Sequence, residues 1–533
     1  MFCYQCEETA RGTGCMTKGV CGKDHETAGL QDVLIYLCKG IAVRSGAAGG
    51  NDEARAFITD ALFATLTNVN FDAARFREMI DRALAIRDSL PPAGGDEPDA
   101  CTWTPKDDGA IAAKAREIAE PADPADDLRS LTDLLVFGVK GLAAYYHHAV
   151  LLGYTDDAIP AFMENALAAT VLPQTADGMT VLVLECGGVG VGVLALLDKA
   201  HTETYGNPAI TSVPTVPKGR PGILITGHDL PDLKMLLEQS AESGVDVYTH
   251  GEMLPAHAYP AFSEYPHLAG NYGSSWWHQR EEFERFGGPV VVTTNCIVPP
   301  KDTYAGRIYT TGPAGYPGVA HIPAAEDGGK DFSAVIEQAK TCPPPERLEG
   351  SGRDLVTGCG HAAVTAIAGT VVEAVKRGDI RRFIVMAGCD GRQSERSYYT
   401  EFAEALPQDT VILTAGCAKF RYNALDLGTV GGLPRVIDAG QCNDSYSLVV
   451  IAQALAGAFG VGLNDLPISY NIAWYEQKAV LVLLALLNLG VKNIALGPKL
   501  PAFVSPGVLA VLQENFGITK NSTVEADLAR MVP

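Results

Sequence analysis

Apolar residues recur every three or four positions along 27–90, as at Leu30, Val33, Leu34 and Leu37, and again along 109–201, which contains LTDLLVFGVKGLAAYYHHAVLLG. That period belongs to helices with a buried face. The turn-rich segment PPAGGDEPDACTWTPKDDG divides the two stretches, so the first two hundred residues read as packed helix bundles. The pattern changes near TYGNPAITSVPTVPKGRPG. Beyond it, short apolar runs (GILIT, VDVYT, PVVVTT, RFIVMA, TVILTA, NIAL) alternate with helical segments, as in α/β units built on parallel sheets. A second break, TCPPPERLEGSGRD, separates two such units. The expected fold class is α/β: a helical N-terminal domain over 1–205, then two parallel-sheet domains over 206–350 and 351–533. The longest apolar run, 479–487, is too short to cross a bilayer and reads as a buried helix.

Composition narrows the function. With 533 residues and a net charge of -22, the chain repels phosphate backbones and anionic membrane surfaces, so neither nucleic acid nor membrane is an expected partner. MFCYQCEETA has no basic start and no apolar core, unlike a secretory signal. Thirteen cysteines, an odd number, fit a reducing cytoplasm and thiols used as ligands.

Four of them, Cys3, Cys6, Cys15 and Cys21, are spaced C-x2-C-x8-C-x5-C. Four soft thiolates on one glycine-containing loop make a first shell for an iron–sulfur cluster. A four-cysteine zinc site usually shows two tight C-x2-C pairs, and only one is present here. Disulfides require an oxidising compartment. The run CGGVGVGV from Cys186 departs from G-x-G-x-x-G at Val193, so a glycine-rich helix-packing surface accounts for it better than a dinucleotide loop does.

A second set emerges at the strand ends. His228 follows GILIT, Glu252 follows VDVYT, Cys296 follows PVVVTT, Cys389 follows RFIVMA, Cys417 follows TVILTA, and Cys442 follows the shorter VID. Each is expected within about three residues of the strand's carboxyl end, where open α/β sheets bind ligands. Singly, each is more simply a buried thiol, a satisfied imidazole or a solvated carboxylate; six together point to a buried cluster. Thiolates hold sulfide-bridged iron, while imidazole and carboxylate suit oxygen-bridged, exchangeable iron. Cys38 and Cys186 (helical stretches), Cys101 and Cys342 (connectors) and Cys359, near His361, lack the pattern.

MFCYQCEET, GHDL, HGEMLPAH, TTNCI, GCDGR, GCAKF, GQCNDSYS and WYEQKAV together resemble the hybrid cluster protein (hydroxylamine reductase) family, over essentially the whole chain. The N-terminal spacing resembles its anaerobe branch. The resemblance implies two Rossmann-like domains after the helical one, in a fold related to the catalytic subunit of carbon monoxide dehydrogenases. It implies a 4Fe-4S cubane on Cys3, Cys6, Cys15 and Cys21. It also implies a hybrid 4Fe-2O-2S cluster on His228, Glu252, Cys296, Cys389, Cys417, Cys442 and a seventh ligand, Glu476. Cys389 matches the family's persulfide-bearing cysteine.

The expected reaction is two-electron reduction of hydroxylamine to ammonia and water, with electrons entering at the cubane and iron weakening the N–O bond as a Lewis acid. Glu252, Cys389 and Glu476 are the expected catalytic ligands. Lys478 is a candidate proton donor, although it also fits an ordinary helix-face lysine. The same site suits reduction of nitric oxide to nitrous oxide, or a thiol-based sensor passing nitric oxide to partner proteins under nitrosative stress. Carbon monoxide chemistry needs nickel, and the two-carboxylate set argues against it. No flavin or nicotinamide motif is found, so a separate electron-donor protein is expected. A monomer is consistent with both ligand sets lying in one chain.

Overall fold

A computed structural model describes residues 1–120, 123 and 125–533. Pro121, Ala122 and Pro124, inside the expected helical stretch 109–201, lie outside the described residues. The N-terminal region holds eight helices among those residues: α1 (His25–Ala47), α2 (Asp52–Ala64), α3 (Ala73–Ser89), α4 (Asp99–Thr102), α5 (Asp108–Ile118), α6 (Asp127–Leu151), α7 (Ala158–Ala169) and α8 (Ala176–Tyr205). Six of them begin on a short polar side chain that accepts an otherwise unpaired amide: Asp24, Asn51, Asp72, Asp107, Asp126 and Thr175, each cap worth about 1 kcal/mol. Cys101, expected in a connector, lies in α4.

The glycine run is the middle of α8 and opens no loop. A side chain at Gly187 would meet Leu484 O at 2.1 Å, and one at Gly141 on α6 would meet Gln477 O at 2.6 Å. These bare positions let helix Gln477–Asn488 lie directly on the backbones of α6 and α8. That helix is the predicted 479–487 apolar run, and most of it is buried. Two helices, Asp127–Leu151 and Ala176–Tyr205, are nevertheless long and apolar enough to cross a membrane by length and composition; 83% and 39% of their apolar windows are buried inside the protein. Unbroken apolar runs missed both, because Lys, Glu and Gly interrupt them.

β1 (Thr211–Val213) leads into a parallel sheet of β2 (Gly222–Thr226), β3 (Asp246–His250), β4 (Leu268–Asn271), β5 (Val290–Val292), β6 (Ile308–Thr311) and β7 (Ala320–Ile322), in the order 4-3-2-5-6-7. β8 (Leu355–Thr357) pairs antiparallel with β1. The second parallel sheet contains β9 (Arg382–Val385) and β10 (Thr410–Thr414); after the ribbon β11 (Thr429–Val430) and β12 (Leu433–Pro434) it adds β13 (Val436–Asp438), β14 (Ile468–Ala473), β15 (Ile494–Gly497) and β16 (Thr519–Lys520), in the order 13-10-9-14-15-16. The α/β class with a helical N-terminal region and two parallel sheets is as expected.

Apolar runs missed β14, the strand beside β9. All six of its residues are buried, yet Ser469 accepts from Arg382 and Asn471 from Asn521, so its buried polar residues hide the pattern. One hydrophobic core runs from Leu30 of α1 through α6 and α8 into the second sheet. The first sheet has separate cores on its two faces.

Candidate metal centres

In each sheet the chain reverses its direction of growth once, between β2 and β5 and between β9 and β14. Crevices open outside the strand ends at such points, and here both crevices face one cavity. It is lined by His228, Glu252, Cys296, Cys389, Cys417, Cys442, Glu476 and Lys478, together with Trp276, Asn295 and Tyr475. All seven residues named as hybrid-cluster ligands therefore meet. The spacing rule was slightly tight: Cys296, Cys389 and Cys442 stand four positions beyond Val292, Val385 and Asp438, the last residues of β5, β9 and β13. Glu476 lies three beyond Ala473, the end of the missed β14, and caps helix Gln477–Asn488 by accepting from Lys478 N at 2.7 Å.

His228 Nε2 lies 3.5 Å from Cys442 Sγ and 3.7 Å from Glu252 Oε2, and ligand atoms of the three residues fall within 4.8 Å of one another. The other nitrogen, Nδ1, is 2.9 Å from Thr294 Oγ1, an outer partner that turns Nε2 toward the cavity. Glu252 Oε2 accepts from Cys442 N at 2.8 Å, while its Oε1 is buried with no hydrogen-bond partner. A buried carboxylate oxygen left unpaired is costly unless something cationic meets it. Lys478 Nζ lies 3.0 Å from both His228 Nε2 and Asn295 Oδ1, and 3.7 Å from Glu476 Oε1. Asn295 Nδ2 donates to Glu476 Oε1 at 3.2 Å.

Burial sets the proton affinities. It lowers His228 well below its ordinary value, and Lys478 adds to this, so the imidazole is neutral and available as a ligand. It raises Glu252, against the pull of Lys419 and Lys478. It raises the thiols of Cys296, Cys389 and Cys417, and pushes Cys442 up to about 12. Burial alone would lower Lys478, but Cys442, Glu476, Cys296 and Glu252 around it raise it above an ordinary lysine. Seven acidic or neutral donors around one buried ammonium form a site that wants more positive charge, which fits a metal cluster.

The N-terminal loop is built locally. Cys3 and Cys15 pair through their backbones, with N–O distances of 3.1 Å and 2.8 Å. Burial pushes Cys3 up to about 11, and raises Cys6 together with the neighbouring Cys3, Cys21, Glu8 and Cys15. All thirteen cysteines are free thiols, so the disulfide alternative is not realised. The loop is stitched to the cavity wall: Glu7 N donates to Tyr475 O at 3.0 Å and Gln477 Nε2 donates to Gln5 O at 2.9 Å. Arg396 donates to Glu7, to Trp474 O and to Cys389 O. The four-thiol loop and the strand end before Glu476 thus share one backbone hydrogen bond.

Cys38, Cys101, Cys186, Cys342 and Cys359 do not line the cavity, and His361 pairs with Ser447 and Asp198. Sequence reasoning missed Thr294, Asn295 and Gln441, whose amide donates to Glu252 O at 2.8 Å. Thr294 and Asn295 sit within TTNCI and Gln441 within GQCND, beside the thiols, where polar neighbours of a ligand could have been singled out.

The chain belongs to the Prismane/CO dehydrogenase family, whose model matches residues 1–529. Among curated relatives, the hydroxylamine reductase of Methanosarcina mazei is 56% identical, with 99% of each chain covered. That of Nitratidesulfovibrio vulgaris is also 56% identical, over the full length of both chains (100% of each). Among solved structures, a nickel-free carbon monoxide dehydrogenase from Thermococcus sp. AM4 superposes with a TM-score of 0.58 at 18% identity, covering 99% of this chain and 90% of that one. Carbon Monoxide Dehydrogenase IV from Carboxydothermus hydrogenoformans gives 0.58 at 15%, covering 97% and 89%. These two likenesses concern the fold alone.

Proposed function

We propose that this chain is an iron–sulfur reductase acting on hydroxylamine, NH2OH + 2e− + 2H+ → NH3 + H2O. In this reading Cys3, Cys6, Cys15 and Cys21 hold a 4Fe-4S cubane. His228, Glu252, Cys296, Cys389, Cys417, Cys442 and Glu476 hold a hybrid 4Fe-2O-2S cluster, with Cys389 as the position for a persulfide. The observation that carries it is the convergence of those seven side chains, from two sheets and one helix cap, on a single cavity. The relatives' name supports the substrate. Thirteen free thiols support a reducing compartment, and the change from helices to parallel sheets after Tyr205 supports the domain division at 205.

When bound, the mixed cluster supplies an exchangeable iron that acts as a Lewis acid. The chain's own residues do the rest. Tyr475 and Trp276 pack 4.8 Å apart between centroids and line the cavity. Lys478 Nζ holds a proton inside the cavity, next to the carboxylates, and is placed to deliver it to the departing oxygen. Asn295 bridges that ammonium and Glu476, accepting from the first and donating to the second.

The test is turnover by reduced, fully loaded protein. The expected result is one ammonia formed per hydroxylamine consumed, at two electrons each, by protein containing iron without nickel or zinc. Iron-loaded protein that consumes no hydroxylamine overturns the proposal.

A further inference from the structure

The chain carries far more acid than base, yet the loop that holds the four N-terminal thiols does not. Residues 10–22, ARGTGCMTKGVCG, contain Arg11 and Lys18 and no Asp or Glu. Both cations are exposed, and neither has an ion-pair partner among the described residues. Of the nearby acids, Glu8 pairs with Arg392 and Glu7 with Arg396, while Asp123 and Asp126 stand on the far side of the cavity that Met16 lines. Arg11 is one of three non-glycine residues with positive φ among the described residues, at 57°. The turn that holds it there, with Gly12 N donating to Thr9 O and Gly14 N to Ala10 O, leaves its guanidinium in solvent. The segment joining Cys15 to Cys21 is Met16–Val20, MTKGV; Met16 is 57% and Val20 38% exposed. Two exposed apolar side chains beside free cations have the composition of a transient docking patch. On one side the patch ends at Asp126 and Arg129, across a cavity that Met16 and Thr13 share with Phe2 and Tyr4.

We infer that this surface (Arg11, Met16, Lys18 and Val20) docks a small acidic electron-carrier protein bearing a one-electron iron–sulfur centre. Charge complementarity selects that occupant: an acidic carrier is repelled by a body of net charge -22 and attracted only where the local sign reverses. Position selects it as well, since the segment joins two of the four thiols, Cys15 and Cys21. The inference rests on reading those thiols as a cubane. In each encounter one electron leaves the carrier's reduced centre and enters the cubane, and two encounters serve one hydroxylamine.

The test compares wild type with the Arg11→Glu/Lys18→Glu double variant, both iron-loaded, in stopped-flow mixing with a reduced acidic two-[4Fe-4S] ferredoxin. The expected bimolecular rate for wild type falls with ionic strength. The variant is at least about 10-fold slower at low salt and converges with wild type at high salt. Lys18→Gln alone gives a smaller change of the same sign. Hydroxylamine turnover driven by reduced methyl viologen, a small cation that needs no docking, stays the same. Equal ferredoxin rates for wild type and the double variant, with the N-terminal cluster visible by EPR, overturn the docking surface alone. Absence of a cubane EPR signal in iron-loaded wild type overturns the cluster reading and this inference with it.

Discussion

The N-terminal loop draws its four thiols from residues 3–21, whereas the cavity draws seven side chains from His228 to Glu476. The loop is short-range and lies at the surface, with Met16 and Lys18 in solvent. The cavity is long-range and buried, and each of its walls ends a different strand or caps a helix. A local loop can present ligands by turn geometry alone. A cavity of this kind needs both sheets and helix Gln477–Asn488 in register, so its integrity depends on the shared core of α6, α8 and the second sheet. The two regions are joined by several hydrogen bonds, among them Glu7 N to Tyr475 O and Gln477 Nε2 to Gln5 O, the first of them one residue from a candidate ligand on each side.

This contrast can be broken from either end. Glu476→Ala is expected to abolish hydroxylamine turnover while the N-terminal cluster keeps its EPR signal; loss of both signals would show that the regions do not assemble independently. Cys6→Ser is the converse, removing the N-terminal signal and carrier-driven turnover but leaving the cavity able to complete a chemically reduced single turnover. Lys478→Met removes the buried ammonium and its proton, and a fall in kcat of about 10²–10⁴-fold at unchanged iron content is expected; an unchanged kcat would return Lys478 to a structural role. Asn295→Ala leaves every ligand in place but frees Glu476 and Lys478, and a loss of about 10–100-fold in activity or metal affinity is expected, measured by metal titration and initial rates.

The last effect lies outside both regions and touches stability instead of turnover. His201 on α8 is buried among Tyr205 and Tyr259, and burial lowers its pKa to about 4. The folded imidazole is neutral, while the unfolded one binds a proton below its ordinary value of about 6.5. Its contribution is therefore complete above that value and is lost as pH falls from about 6.5 toward 4, amounting to about 3 kcal/mol at the lower end. Thermal melts across that range should show wild type losing stability relative to the non-titrating His201→Phe variant as pH falls; a constant difference between the two would contradict the shift.

Parts of this architecture were legible in the chain because the physics that writes them is local. Helical periodicity, polar caps and the C-x2-C-x8-C-x5-C spacing each depend on neighbours in sequence. The parallel strands announced themselves because burial on both faces makes their runs continuously apolar. β14 did not, because Ser469 and Asn471 find partners in Arg382 and Asn521 that lie far along the chain. With that strand hidden, Glu476 came from family resemblance instead of from a strand end.

Sequence alone determined the candidate donor types, the local loop and the position of most candidate ligands just beyond a strand. Only the tertiary structure decided that two switch points face one cavity. It also decided that Thr294, Asn295 and Gln441 hydrogen-bond to His228, Glu476 and Glu252, and that bare Gly141 and Gly187 admit the helix Glu476 caps. The reason is range: backbone preference and burial pattern act over a few residues, whereas pairing partners, close approach and the field around Lys478 exist only once distant segments have packed.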